Sequence, residues 1–125
     1  MVTTLEDLAR ALRQAGFAGV DCDGAAVLAR SDGPSAPEFT ADLHGGAVRL
    51  RLRFALRAPE AGLAAWMRDH PGAVLAIDAG ETQLSLTVPA GGDLAAPLAQ
   101  WRGLTQAAER AVVGWRRGQR PWHGM

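Results

Sequence analysis

The chain has 125 residues, its 13 basic and 13 acidic side chains cancel to a formal net charge of zero, and 48% of its residues are apolar. This length fits one domain. The apolar fraction is that of a soluble globular protein and excludes intrinsic disorder. The zero net charge argues against a dedicated nucleic-acid binder, which is usually strongly basic. A single cysteine, Cys22, excludes an internal disulfide and a cysteine-rich zinc site. No apolar run approaches the roughly 20 residues of a membrane span, and the first residues lack the pattern of a signal peptide, so we expect a cytoplasmic protein.

The predicted elements begin with a helix that starts after Thr3 or Thr4 and ends at Gly16. Acids about three residues after the threonines supply a capping box, and leucines then recur at helical spacing. A weakly alternating segment leads into a strand predicted near 25–30, and prolines and glycine mark a loop over 31–37. This part of the chain therefore contributes a helix, one strand and a loop.

The clearest pattern in the chain is a β-hairpin with strands over 38–44 and 47–54. Apolar residues alternate along both strands, and the two glycines between them suit a two-residue turn that needs positive φ. The turn fixes a register in which Leu43 faces Val48, with the polar side chains paired on the opposite side. One face of this hairpin is therefore core and the other is open to water.

The second half of the chain repeats the alternation of helix and hairpin. A second helix begins at Pro59 and ends at Pro71. A hairpin follows, and a two-residue loop at 79–80 would place Leu75 opposite Leu84. Asp93 is a suitable N-cap for a long closing helix that ends near Gly118.

Together these elements predict an α+β fold in the order α-βββ-α-ββ-α, with a single antiparallel β-sheet and helices packed on one face. We expect one domain over residues 1–118 and a flexible C-terminal tail over 119–125. Within the closing helix, Gly103 and Gly114 are small enough to allow the close approach of another backbone.

The residues that could carry chemistry form no catalytic set. His44, His70 and His123 share no helix face or strand, and none has the spacing of zinc ligands. Cys22 lies between two aspartates, which disfavour the thiolate, so we interpret it as a small buried apolar residue. The chain also lacks a serine nucleophile motif and a phosphate-binding loop. We therefore expect no enzymatic activity, no metal and no cofactor.

A row of arginines on the second strand of the first hairpin is one candidate for binding nucleic acid. Arg49, Arg51 and Arg53 share the polar face and could follow a phosphate backbone. In the predicted register, Glu38 and Asp42 lie opposite this row and offset much of its charge. The face has no aromatic residue on which a base could stack, so we expect direct binding of nucleic acid to be the weaker alternative.

Basic and aromatic side chains near the C-terminus form a second candidate surface. These side chains could contact nucleic acid. Alternatively, they belong to a solvated helix end, where cations complement the helix dipole. We assign Arg116 and Arg117 as possible nucleic-acid contacts in this group. Its members are Arg110, Trp115, Arg116, Arg117, Arg120 and Trp122.

Large apolar side chains follow one face of the closing helix and are joined by a tryptophan of the second helix. Such side chains are common in cores and at protein interfaces. We take them as a candidate partner or dimer interface, with core packing as the alternative. The residues are Trp66, Trp101, Leu104, Ala108, Val112, Trp115 and Trp122.

The order of elements and three local motifs resemble the YbjN-like family of small bacterial proteins, which share the fold of type III secretion chaperones. The motifs are the helix LAAWMRDH at 63–70, the hairpin DAGE at 78–81 with LSL at 84–86, and the sequence GGD at 91–93. The resemblance covers roughly residues 4–117.

This resemblance implies a homodimeric protein that holds an extended or partly unfolded client, without catalytic residues. We therefore expect a non-enzymatic, chaperone- or adaptor-like protein-binding module in a bacterial cytoplasm, with a possible regulatory or stress-related role. The edge strands of its sheet could accept an added strand. An accessory factor for nucleic acid, using the exposed arginines, is the alternative function. A small-molecule sensor would need a pocket under the sheet.

Overall fold

The structure is a computed structural model that describes residues 2–32 and 35–119. The helices are α1 (Leu5–Gln14), α2 (Glu60–Asp69) and α3 (Ala95–Gln119), and the strands are β1 (Ala18–Asp23), β2 (Ala26–Arg30), β3 (Glu38–His44), β4 (Ala47–Phe54), β5 (Val74–Asp78) and β6 (Glu81–Pro89). Within these ranges, no helix is both long enough and apolar enough to cross a lipid bilayer. Apart from Gln119, which belongs to α3, the predicted tail lies outside the described residues.

The six strands form one antiparallel sheet in the order β1-β2-β3-β4-β6-β5, which confirms the predicted fold class. Both predicted hairpin registers are confirmed, with Leu43 facing Val48 in the first hairpin and Leu75 facing Leu84 in the second. Both connecting turns have positive φ at their two central residues, as type I′ turns require.

Four strands precede α2, one more than the sequence pattern predicts. The additional strand, β1, forms in the weakly alternating segment and pairs with β2 at one edge of the sheet. Five of its six residues are exposed, so it has no row of buried apolar side chains that would reveal it in the sequence. Cys22 lies on this strand and is exposed, so its interpretation as a buried residue is wrong.

All three helices cover the same face of the sheet, as predicted. α1 contacts β1, β2 and β3, α2 contacts β5, and α3 contacts β4 and β6. The rings of Phe17, Phe39 and Trp101 meet edge to face at the centre, with centroid distances of 5.2 and 5.5 Å. The opposite face of the sheet carries polar side chains and has no covering helix in the described ranges.

Two local hydrogen-bond networks fix the ends of elements. The predicted capping box begins α1, since the Thr4 hydroxyl accepts from the Asp7 N–H at 3.1 Å and the Asp7 carboxylate accepts from the Thr4 N–H at 3.2 Å. The hydroxyl of Thr82, fully buried in β6, accepts from the Ala58 N–H at 3.0 Å and donates to the Leu56 carbonyl at 2.8 Å. Thr82 thereby anchors the connection between β4 and α2 to the sheet.

Candidate interaction surface

Most side chains of the predicted partner or dimer interface lie inside the chain's own core. They cover the sheet and present no surface to a partner. The predicted interface is therefore wrong for these side chains, which pack in the core. Trp115 is half-buried and packs against the core, and Trp122 lies outside the described residues. The buried members are Trp66, Trp101, Leu104, Ala108 and Val112.

The close approach between helices occurs at a different glycine from those predicted. A Cβ atom on Gly62 of α2 would lie 2.7 Å from the indole nitrogen of Trp115 on α3, whereas a Cβ atom on Gly103 or Gly114 would meet nothing within 4 Å. Gly103 and Gly114 are therefore not points of close approach within the described chain, and approach by a second copy there stays a prediction. The glycine that packing requires is Gly62.

On the open face of the sheet, the Asp42 carboxylate pairs with two arginines of the predicted row. Its carboxylate accepts from Nε and a terminal nitrogen of Arg49, at 3.2 and 3.0 Å, and from a terminal nitrogen of Arg51 at 3.0 Å. Hydrogen bonding to Asp42, and then its charge, raise the pKa of the Arg49 guanidinium. The Asp42 side chain is only 13% exposed, so this ion pair is part of the sheet surface and not a loose contact.

The third arginine of the row, Arg53, is bound by acids of the β5–β6 hairpin rather than by the predicted Glu38. Its guanidinium lies 2.5 Å from the Asp78 carboxylate and 3.7 Å from that of Glu81. It also donates to the side-chain oxygen of Gln83 at 3.1 Å. Three arginines therefore face three acids, and the row has little excess positive charge with which to hold a phosphate backbone.

The second predicted basic group lies on the other side of the molecule. Arg116 and Arg117 are exposed in the last turn of α3, where cations complement the helix dipole. Since α3 covers the face of the sheet opposite to the arginine row, the two groups do not combine into one basic surface.

A surface cleft of about 300 Å³ lies between α1 and the start of α3. Ala11, Leu94 and Leu98 form its apolar wall, and Arg10 lies at its rim. This volume is at the lower end of small-molecule pockets, and the cleft lies between helices, not under the sheet. In the described ranges, no three side chains of the metal-ligating types converge there or elsewhere.

The two edges of the sheet differ in whether another strand could pair with them, and the β1 edge is blocked. The pairing of β1 shifts register between Ala18 and Asp21, which marks a bulge, and the exposed Asp21 and Asp23 carry charge along the strand. A guanidinium nitrogen of Arg13 donates to the Val20 carbonyl at 3.2 Å and occupies an acceptor that an incoming strand would need. Bulges and charged side chains are the usual protection of an edge strand.

The β5 edge is much less protected than the β1 edge. Its pairing with β6 is regular, four of its five residues are uncharged, and Val74 is 50% exposed. The two-residue turn makes Asp78 and Glu81 a hydrogen-bonded pair, so the alternation of an antiparallel ladder directs the backbone N–H and C=O groups of Leu75 and Ile77 away from β6. These four groups lie along an edge where the described residues provide no neighbouring strand.

The β5 edge is the candidate interaction surface; the sequence predicts that an edge strand could accept another strand but does not identify which one. The uncharged run over 74–77 is visible in the sequence, but the position of β5 at an edge depends on β6 pairing with β4. Comparison with models of protein families and with curated proteins finds no match to this chain. The resemblance to the YbjN-like family therefore stays a prediction, and the function is argued from the geometry of the edge.

Proposed function

We propose that this chain is a non-enzymatic, homodimeric protein-binding module, chaperone- or adaptor-like, that acts in a bacterial cytoplasm. Two copies pair through their β5 strands and extend the sheet across the dimer. The observation that supports this proposal is the contrast between the two edges, since β1 is bulged, charged and capped by Arg13 while β5 is regular and carries a single charged residue at its end.

The β5 strand is suited to pairing with a second copy of itself in an antiparallel arrangement. With the two-fold axis at Ala76, the outward backbone groups of Leu75 in one copy face those of Ile77 in the other, and each such pair exchanges two hydrogen bonds. Ala76 then faces its own equivalent in a non-hydrogen-bonded pair, where two strands approach most closely and a small side chain fits. Pairing also covers Val74, one of two large apolar side chains that are exposed in the described ranges.

In the proposed dimer, the two open sheet faces join into one surface that receives the client. The row of three arginines and three acids lies on this surface and offers hydrogen-bonding groups of both kinds. Such a surface suits an extended polar segment better than a phosphate backbone. The client-holding role itself rests on the resemblance to secretion chaperones.

Sedimentation over a range of micromolar concentrations tests the dimer with two matched variants. Ala76→Lys places like charges opposite each other at the two-fold axis and should give a monomer. Thr87→Lys adds the same charge to an exposed position of β6, away from the edge, and should leave the dimer intact. A wild-type chain that stays monomeric throughout, or an Ala76→Lys variant that dimerises like Thr87→Lys, would contradict pairing through β5.

The client role is tested separately by aggregation of a chemically denatured model enzyme. Wild type and Gln100→Lys, which adds the same charge to an exposed position of α3 outside the joined surface, should delay the aggregation measured by light scattering, and Ala76→Lys should do so less because the joined surface is lost. Equal protection by all three proteins would show that the dimer is not needed, and no protection by any would remove the chaperone role.

A further inference from the structure

The one charged residue of β5, Asp78, is held away from the sheet edge by an arginine two strands away. One terminal nitrogen of Arg53 on β4 donates a hydrogen bond to the Asp78 backbone carbonyl at 2.9 Å, and the other donates to the Asp78 carboxylate at 2.5 Å. The side-chain oxygen of Gln83 on β6, which lies between the two strands, accepts from the same guanidinium at 3.1 Å. The contacts draw the carboxylate inward over the open face.

The position of this carboxylate matters for an added strand. Val74, Ala76 and Asp78 alternate with Leu75 and Ile77, so all three lie on the open face. In the antiparallel pairing centred on Ala76, Val74 of one copy faces Asp78 of the other. A free carboxylate at that place would be partly desolvated against an apolar side chain, which is unfavourable, and the contact would occur twice in each dimer.

We propose that Arg53 is a positioning residue for the β5 edge. By binding Asp78 it leaves β5 without an unpaired charge. The ability of this edge to pair with another strand therefore depends on a side chain of β4 as well as on the residues of β5. This inference rests on the proposed pairing of two copies through β5.

The test compares dimer dissociation constants, measured by sedimentation, for the wild type and three variants. Arg53→Gln releases Asp78 and should weaken the dimer about tenfold, which is the factor expected from two unfavourable cross-strand contacts. Arg53→Gln combined with Asp78→Asn removes the released charge and should restore the wild-type constant. Arg49→Gln is the matched control, because Arg49 lies on the same strand and face but binds Asp42 and not β5.

The outcomes separate this inference from the proposed function. A dimer that Arg53→Gln weakens no more than Arg49→Gln does, or that the second substitution fails to restore, overturns the role of Arg53 while leaving pairing intact. A wild-type chain that is monomeric overturns both. Thermal unfolding at a protein concentration below the wild-type dissociation constant, where dimerisation adds no stability, shows whether a weakened dimer reflects the edge or a damaged fold, and an Arg53→Gln monomer that unfolds like the wild-type monomer supports the inference.

Discussion

The indole of Trp115 occupies the space that a side chain at position 62 would need. A Cβ atom there would lie 2.7 Å from the indole nitrogen and 2.9 Å from two ring carbons, closer than real Cβ atoms approach their neighbours. Gly62 is in α2 and Trp115 is in α3, so this contact brings two helices together that are separated in the chain by the second hairpin.

Gly62→Ala should therefore destabilise the fold, although alanine is the better helix former. We expect a loss of about 1–3 kcal/mol from forcing Trp115 out of its position. Gly103→Ala is the control, since its Cβ meets nothing within 4 Å and it should stabilise α3 by up to about 1 kcal/mol. Urea denaturation of both variants measures the difference, and a Gly62→Ala variant as stable as wild type would show that the indole moves aside without cost.

Thr82→Val should cost about 1–3 kcal/mol of unfolding free energy, because it removes the partner of the Ala58 N–H in a buried place. Thr105 provides a matched comparison, since it is equally buried but its hydroxyl only donates to the Arg102 carbonyl within α3. Thr105→Val should therefore cost less. Chemical denaturation of the pair checks this, and equal losses would contradict the structural role assigned to Thr82.

Asp42→Asn should uncover the charge of the arginine row. Without the carboxylate, Arg49 and Arg51 lose their counter-ion, and we expect weak binding of a single-stranded oligonucleotide that falls as salt is raised. Asp23→Asn, on exposed β1, changes the net charge equally and should leave binding at the wild-type level. Fluorescence anisotropy at two salt concentrations measures this, and strong salt-dependent binding by the wild type would instead favour the nucleic-acid alternative.

The capping box of α1 predicts a pH dependence of stability. Hydrogen bonds from the backbone and hydroxyl of Thr3, and then from Thr4, lower the pKa of Asp7 below its ordinary value of 3.8. Because the pKa is lower in the folded than in the unfolded chain, the ionised group stabilises the fold above pH 3.8, and this stability is lost as the pH falls through the lowered pKa.

Melting temperatures measured from neutral pH to below pH 3 test this dependence. Asp7→Asn should melt lower than wild type at neutral pH, and the gap should narrow as acid protonates the wild-type carboxylate. Glu6→Gln, in the same first turn, serves as the control for a general loss of negative charge near the helix start. A gap between Asp7→Asn and wild type that is constant with pH would contradict the assignment.

The hairpin registers were predictable because two independent patterns agree in each hairpin. A two-residue turn with positive φ fixes which residues face each other, and the alternation of apolar residues then places Leu43 against Val48 and Leu75 against Leu84. β1 could not be predicted in this way because it lies at an edge with almost no buried side chain. Local patterns reveal a strand only where one of its faces is buried.

The candidate site depends on contacts that no local pattern contains. The sequence places Glu38 opposite Arg53 in the first hairpin, but the guanidinium reaches across β6 to Asp78 instead. This happens because β6 lies between β4 and β5, an arrangement that comes from packing of the two hairpins and not from either one alone. Likewise, the spacing of Trp101 and Trp115 shows that they lie on one face of the closing helix. Only the position of the sheet shows whether that face belongs to the core or to a partner interface.

The unequal edges of the sheet also limit how large an assembly can become. A sheet with two free edges can add copies at both ends and grow into a filament. In the proposed dimer each chain uses its β5 edge for the other, and the outermost strand at either end of the described sheet is β1, with its bulge, its aspartates and the Arg13 contact. Those features then act as end caps, so growth stops at two chains and the same strand that forms the dimer does not lead to fibres.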